Sequence, residues 1–439
     1  MVFARKQRCS FDIPVSGRLA SGRLVHLGWT LVLVALISGC VTPEPTAKSA
    51  AKVTEGLQSF AALEFAQRNL IVDTHIDVPY RLEKEFEDVS QAAGGDFDFP
   101  RARRGGLNAA FMSIYIPASV DAEGGAGAFA DKLIDGVEAI ARDHSDKFAL
   151  AHCVADVSKA ANSGRVALPL GMENGGPIAG SFEQLKRYRD RGVRYITLAH
   201  SKSNHISDSS YDKNERWQGL SEFGKSLIGE MNNLGVMVDI SHLSDKAAWQ
   251  VLDLSKTPVI ASHSSLRHFT PGFHRNMTDD MLKALAAQGG VLQINFGSSF
   301  LTATARNWSD KYSETADAYA KAHNLESGDE KMRAFREQYR ASLPFPFATT
   351  KHVLDHIDRA VEIAGIDHVG VGSDYDGVGD SLPLGLKNVS SYPQLIIGLS
   401  ERGHSLEDIG KILAGNVLRV WRAVELYAAS QGQPVTCAL

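Results

Sequence analysis

The hydrophobic pattern of the chain is a series of short apolar runs, each ending in polar residues and most followed by a longer stretch with helical spacing. The first run, residues 70–77, reads Leu-Ile-Val-Asp-Thr-His-Ile-Asp, a buried strand carrying Asp73, His75 and Asp77 two residues apart and so on one side. Seven more strands are expected at 108–116, 166–171, 193–198, 236–240, 259–261, 290–295 and 369–372. Helical spacing predicts helices over 129–143, 181–190, 220–234, 244–254, 279–288 and 351–364, and one at 57–68 that leads into the first strand. Residues 81–104 read as a long loop over the active face, and about 302–347 as a helical excursion that leaves room for dimerisation or a substrate wall. Eight strands alternating with helices favour a closed (β/α)8 barrel over a doubly wound sheet, and no Gly-x-Gly-x-x-Gly follows the first strand.

The N-terminus changes this picture only by standing outside it. Arg5, Lys6, Arg8, Arg18 and Arg23 precede an apolar stretch at 27–37 that is short for a bilayer-spanning helix and ends Ile37-Ser38-Gly39-Cys40. This resembles a bacterial lipoprotein processing site: a signal peptide over 1–39, a lipidated Cys40 and a flexible tether over 40–54 rich in Pro, Thr, Ala, Lys and Ser. Val41, rather than Asp, after the cysteine resembles lipoproteins delivered to the outer membrane, facing the periplasm. The barrel is then expected over 55–425, with a C-terminal tail at 426–439.

Composition adds limits. A chain of 439 residues, 44% hydrophobic, has ample material for one large core. Its formal charge of −5, from 46 basic and 51 acidic residues without a basic block, gives no reason to expect a nucleic-acid partner. Of the four cysteines, Cys9 leaves with the leader and Cys40 takes lipid, so Cys153 and Cys437 remain as a pair that an oxidising compartment could join.

The candidate chemistry lies at the strand ends. Glu173 closes the third strand, His200 follows the fourth, His242 the fifth, His263 the sixth and Asp374 the eighth, whereas the second ends at Pro117 without a ligand. Singly, each has an ordinary explanation as a turn cap, a loop carboxylate or a loop histidine. Together, His75, Asp77, Glu173, His242 and His263 are a nitrogen and oxygen donor set without cysteine. Four such ligands saturate one tetrahedral zinc, so five with a carboxylate able to bridge suit two Zn2+ ions. The economical allocation gives His75 and Asp77 to one ion, His242 and His263 to the other, and Glu173 to both. A bridging water would lose a proton readily between two such charges, becoming a hydroxide, while one ion polarises a carbonyl. His200 is placed to polarise or position a substrate group. Arg275 offers a bidentate fork for a carboxylate, or a structural salt bridge, and Asp374 is placed to carry a proton or orient the reactive water.

The ordered motifs Asp73-Thr-His75-Ile-Asp77, Gly171-Met-Glu173-Asn-Gly-Gly, Thr197-Leu-Ala-His200 with Asn204, Asp239-Ile-Ser-His242, Ser262-His263-Ser, Arg275-Asn276 and Gly372-Ser-Asp374-Tyr-Asp376-Gly resemble the membrane dipeptidase (renal dipeptidase) family, peptidase family M19, over roughly 70–421. The resemblance implies the barrel of metal-dependent amidohydrolases and zinc-dependent hydrolysis of dipeptides, in many cases with a D-residue on the carboxyl side. It implies His75 and Asp77 as first-ion ligands, His242 and His263 as second-ion ligands and Glu173 as the bridge. His200 would hold the oxyanion, Arg275 receive the terminal carboxylate, and Asp374 transfer the proton to the departing amine. Asn174 stands where mammalian relatives have glycine, and Ala199 replaces a polar residue; both leave the ligands intact but leave side-chain preference to the loops at 81–104 and 211–217. The alternatives are a related metallohydrolase acting on N-acyl amino acids, β-lactams or phosphoesters, and a non-catalytic envelope lipoprotein, against which the complete residue set counts.

Overall fold

The structure is a computed structural model that describes residues 47–326 and 328–433, with side chains from 58 onward. The expected leader, Cys40 and Cys437 lie outside the described residues. From Ala51 onward the chain forms one unit.

Among the described residues, ten strands make one parallel sheet: β1 (Val72–Ile76), β2 (Ala109–Tyr115), β3 (Phe148–Leu150), β4 (Val166–Leu168), β5 (Leu170–Glu173), β6 (Val193–Thr197), β7 (Met237–Asp239), β8 (Ile260–Ser264), β9 (Val291–Ile294) and β10 (Val369–Val371). The order runs β10-β9-β8-β7-β6-β5-β2, with β1 pairing β2. Beyond β10 the chain returns to β1 through a parallel bridge between Ile76 and Tyr375, and through hydrogen bonds from Asp77 N to Tyr375 O (2.9 Å) and from Asp374 N to His75 O (3.1 Å). These contacts close the ring, and the fold is the TIM-like (β/α)8 barrel of the amidohydrolase type.

The expected third strand is two pieces. Pro169 has no N–H to give to a ladder, so β4 stops before it and β5 restarts after it, while the Pro169 carbonyl still accepts from Met112 N (2.8 Å). Glu173 is therefore the last residue of a strand rather than part of the following loop. The edge strand β3 was not expected; three residues carry too little periodicity to stand out.

Strand alternation builds two apolar layers. Val72, Phe111, Tyr195, Met237, Ile260 and Val291 turn inward, where Val417, Val420, Trp421 and Val424 of the helix Asn416–Ser430 cover the barrel's amino-terminal end. That helix runs past residue 425, where the barrel was expected to stop. The opposite strand faces, such as Met112, Ile114, Ile196, Val238 and Leu292, pack against the surrounding helices. Those helices follow the expected spans closely, and Ser181, Ser221, Ser244 and Thr278 cap four of them by accepting backbone N–H bonds.

The stretch 81–104 is less loop-like than expected. A helix, Val78–Lys84, carries Pro79 in its first turn, and a second, Phe99–Gly105, carries Pro100 in its first turn behind Asp98, whose side chain accepts from Arg101 N. The excursion consists mainly of the helices Ala303–His323 and Glu330–Ser342, joined around Trp308, Tyr312, Tyr339 and Phe345. The helix before β1 reaches back to Ala47, into the stretch read as tether. Cys153 is disulfide-bonded; the other three cysteines all fall outside the described residues. Among the described residues no helix is long and apolar enough to cross a membrane.

Candidate active site

Because all strands are parallel, their carboxyl ends share one rim, and side chains distant in sequence meet there. His75 is on β1 and Asp77 just beyond it; Glu173 ends β5; His200 and His242 follow β6 and β7; His263 is on β8; Asp374 follows β10. Asp77 occupies the position before the helix Val78–Lys84, yet its carboxylate does not cap that helix, and Oδ1 is buried without a hydrogen-bond partner. His242 and Asp374 adopt left-handed backbone angles, φ 69° and 63°, which turn their side chains off the strand direction.

Glu173 is the centre of the arrangement. Its Oε2 lies 3.5 Å from His75 Nε2, which is itself 3.4 Å from Asp77 Oδ2. Its Oε1 lies 3.0 Å from His242 Nε2, 3.2 Å from His263 Nε2 and 3.6 Å from His200 Nε2. One carboxylate thus offers a separate oxygen to each histidine group. Burial alone would push the Glu173 carboxyl up. The positive field of His200 and His75, with hydrogen bonds from His242 and His263, outweighs it and holds Glu173 well below the usual carboxylate range.

Neighbouring groups fix the tautomers of two rings. The Tyr195 hydroxyl donates to Thr74 O (2.9 Å), so at 2.8 Å from His75 Nδ1 it accepts that ring's proton. Ser262 Oγ donates to Asp239 Oδ2 (2.7 Å), so it accepts from His263 Nδ1 (2.8 Å). Nε2 is then the nitrogen that each ring turns toward Glu173; burial pushes the His75 pKa down, but Tyr195, Glu173 and Asp77 raise it well above its ordinary value, so a cation binding there displaces a proton from that ring. Burial, reinforced by Arg275, holds His242 well below its usual pKa, and burial with His75 and Arg275 does the same to His263. These rings are neutral, as cation ligands must be.

A metal fits these residues. His75 Nε2 and Asp77 Oδ1 are buried polar atoms without a hydrogen-bond partner, and His242 Nε2 and His263 Nε2 converge to 2.9 Å, where two lone pairs repel unless a cation or a proton lies between them. Three donor groups cluster tightly enough to hold ions: His75, Glu173 and His263; Glu173, His200 and His242; and His75, Asp77 and Asp374.

The remaining expected residues surround this centre. Arg275 is buried; its Nη1 donates to Ser264 Oγ (2.6 Å) and its Nη2 to His263 O (2.7 Å), while Nε has no partner. Asp374 accepts from Asn295 Nδ2 (2.7 Å), and burial with the Asp77 carboxylate beside it pushes its carboxyl up to about 7. Asp73, grouped with His75 and Asp77 by strand spacing, works elsewhere: Oδ1 accepts from Ser373 N (3.0 Å) and Oδ2 from Tyr392 Oη (2.6 Å). Tyr195, Asp239, Ser262 and Asn295 were not singled out, although Asp239 and Ser262 stand inside quoted motifs. The centre opens into a cleft of about 810 Å³ walled by Tyr80, Tyr115, Tyr211, Phe300 and Val378.

Comparison with known proteins places this geometry. Residues 61–434 match the sequence profile described as membrane dipeptidase (peptidase family M19). An uncharacterized dipeptidase of Schizosaccharomyces pombe is 33% identical over 385 residues, 83% of each chain, and a dipeptidase of Claviceps purpurea is 32% identical over 80% of this chain and 74% of its own. Among solved structures, a probable dipeptidase, PvdM, from Pseudomonas aeruginosa has a TM-score of 0.73 at 28% identity, covering 85% of this chain and all (100%) of its own. A metallo peptidase from Rhodobacter sphaeroides, liganded with a phosphinate mimic of the dipeptide L-Ala-D-Ala, has the same fold, with a TM-score of 0.66 at 23% identity over 81% of this chain and 99% of its own.

Proposed function

The chain belongs to the membrane dipeptidase family, peptidase family M19, and is a metal-dependent dipeptidase, and we propose that it works with two Zn2+ ions on dipeptides bearing a free terminal carboxylate, including those with a D-residue on the carboxyl side. The observation that carries this reading is the division of Glu173, Oε2 toward His75 and Oε1 toward His242 and His263. His75 and Asp77 would hold one ion, His242 and His263 the other, with Glu173 shared. When bound, the pair would supply an activated water as nucleophile and a charge that polarises the scissile carbonyl.

The chain's own residues do the rest. Arg275 takes the substrate's terminal carboxylate and so sets the distance of the peptide bond from the ligand cluster. His200 donates to the carbonyl oxygen as negative charge develops on it. Asp374, held by Asn295, takes the proton lost by the attacking water and returns it to the amide nitrogen as the C–N bond breaks. Arg275 rejects substrates whose carboxyl end is blocked, because their amide leaves its buried positive charge without a counter-ion.

Metal analysis together with hydrolysis of L,L and L,D dipeptides on one preparation lacking residues 1–52 tests the proposal. Two zinc ions per chain and turnover of both substrate types are expected; full activity with one ion overturns the two-ion reading. The envelope location belongs to the proposal as well, resting on the sequence around Cys40. Mass spectrometry of the protein from its own cell should find Cys40 as an acylated N-terminus, and an unprocessed Cys40 overturns the anchor.

A further inference from the structure

Most charged groups in the cleft wall already have work. Asp77 and Glu173 face the ion positions, Asp374 faces the scissile bond, and Arg275 takes the terminal carboxylate. Arg81 Nε and Asp376 Oδ2 form an ion pair at 3.2 Å, although neither atom has a hydrogen-bond partner, and Arg81 also pairs with Glu87. Lys84 is the exception. It closes the helix Val78–Lys84, lines the cleft, and has no ion-pair or hydrogen-bond partner among the described residues.

Lys84 is nonetheless held in place. Its Nζ sits 4.1 Å from the centre of the Tyr80 ring. Tyr80 meets Tyr115 edge-on at 4.9 Å, and Tyr115 meets His200 at 4.7 Å. An aromatic strip therefore runs from the histidine at the reaction centre to one unneutralised ammonium at the cleft edge. A strip of this kind suits a side chain with methylenes along its length and a carboxylate at its tip.

The topology says which substrate residue meets it. Arg275 follows β8, whereas Lys84 and Tyr80 follow β1 and Tyr115 ends β2, well round the ring from β8. A dipeptide anchored by its carboxylate at Arg275 turns its amino-terminal residue toward β1 and β2. We propose that Lys84, with Tyr80 and Tyr115, forms a subsite for an acidic side chain on the amino-terminal residue, making glutamyl dipeptides a preferred substrate class. This rests on the dipeptidase reading above and deepens it.

The test uses the zinc-loaded enzyme and the ratio of kcat/KM for Glu-Ala to that for Gln-Ala, two substrates of nearly equal shape that differ in charge. Wild type is expected to favour Glu-Ala on the order of fivefold, the value of a partly exposed ion pair. Lys84→Gln should bring the ratio to about one, and Lys84→Glu should invert it and raise Lys-Ala relative to Gln-Ala. A wild-type ratio near one, or a ratio that both variants leave unchanged, overturns the subsite. Neither result touches the dipeptidase reading, which fails separately if zinc-loaded wild type hydrolyses none of Ala-Ala, Gln-Ala and Glu-Ala.

Discussion

Tyr195 holds His75 from below: its hydroxyl, committed as a donor to Thr74 O, accepts the His75 Nδ1 proton at 2.8 Å and so aims Nε2 at Glu173. Space for the phenol exists because residue 171 is glycine; a Cβ there would lie 2.0 Å from the Tyr195 ring. Tyr195→Phe keeps the packing and removes one oxygen. Affinity for the ion at His75 and Asp77 should fall about 10- to 100-fold, the usual effect of losing a ligand's orienting partner, while the other ion stays. Zinc titration with two resolvable steps measures this.

Ser262→Ala makes the complementary cut, since Ser262 connects Asp239 to His263. Here the ion at His242 and His263 should weaken by a similar factor of about 10 to 100 while the other step is preserved. If both variants weaken the same step, the allocation of ligands is wrong.

Glu173→Gln neutralises the carboxylate whose two oxygens face the two histidine sets. Bound zinc should drop below two per chain and kcat by on the order of a thousandfold. The melting temperature should lose most of its dependence on added zinc, because an ion present at about 1,000 times its Kd stabilises the native state by about 4 kcal/mol. Zinc content and thermal unfolding with and without a chelator are the readouts.

Arg275→Lys keeps the charge but loses the planar fork. We expect kcat/KM for Ala-Ala to fall by roughly 10- to 100-fold, as for other buried charged hydrogen bonds, with a much smaller change for Ala-Ala amide. Steady-state kinetics on the two substrates gives the ratio, and an equal loss on both would remove Arg275 from carboxylate recognition.

Away from the centre, His356 makes stability depend on acid. It is buried, accepts from Leu266 N (3.1 Å) and donates to Leu301 O (3.1 Å), and burial pushes its pKa down to about 4. A folded-state pKa below the unfolded value means that its contribution is complete above the ordinary 6.5 and is lost as pH falls toward 4, up to about 3 kcal/mol. The melting temperature of wild type should therefore drop between pH 6.5 and pH 4 by more than that of His356→Gln. Parallel curves for the two proteins would contradict this.

The eight-strand barrel and its strand-end residues are legible in the sequence because each strand is a short apolar run ending in a different polar group, and the helices between keep a clear period. What was not legible has physical causes. Pro169 breaks a strand that reads as continuous, and β3 is too short to show a period. Asp73 shares the spacing of His75 and Asp77, but its oxygens are taken by Ser373 N and Tyr392 Oη, groups 300 and 319 residues away. Tyr195 reads as a strand aromatic like any other, since its hydroxyl finds a purpose only when β6 is brought beside β1's histidine. Lys84 reads as one surface lysine among many until the ion pairs of its neighbours are known.

The left-handed backbone at His242 and Asp374 carries one more consequence. An L-residue held there gives up about 1–3 kcal/mol that glycine would not. Glycine at either position would relieve that strain, but it would also take the imidazole out of the ligand set or the carboxyl out of the reaction centre, so the strained backbone is kept for the side chain it carries. Robustness and rate are opposed at these two sites, and any programme to harden the protein has to leave them untouched.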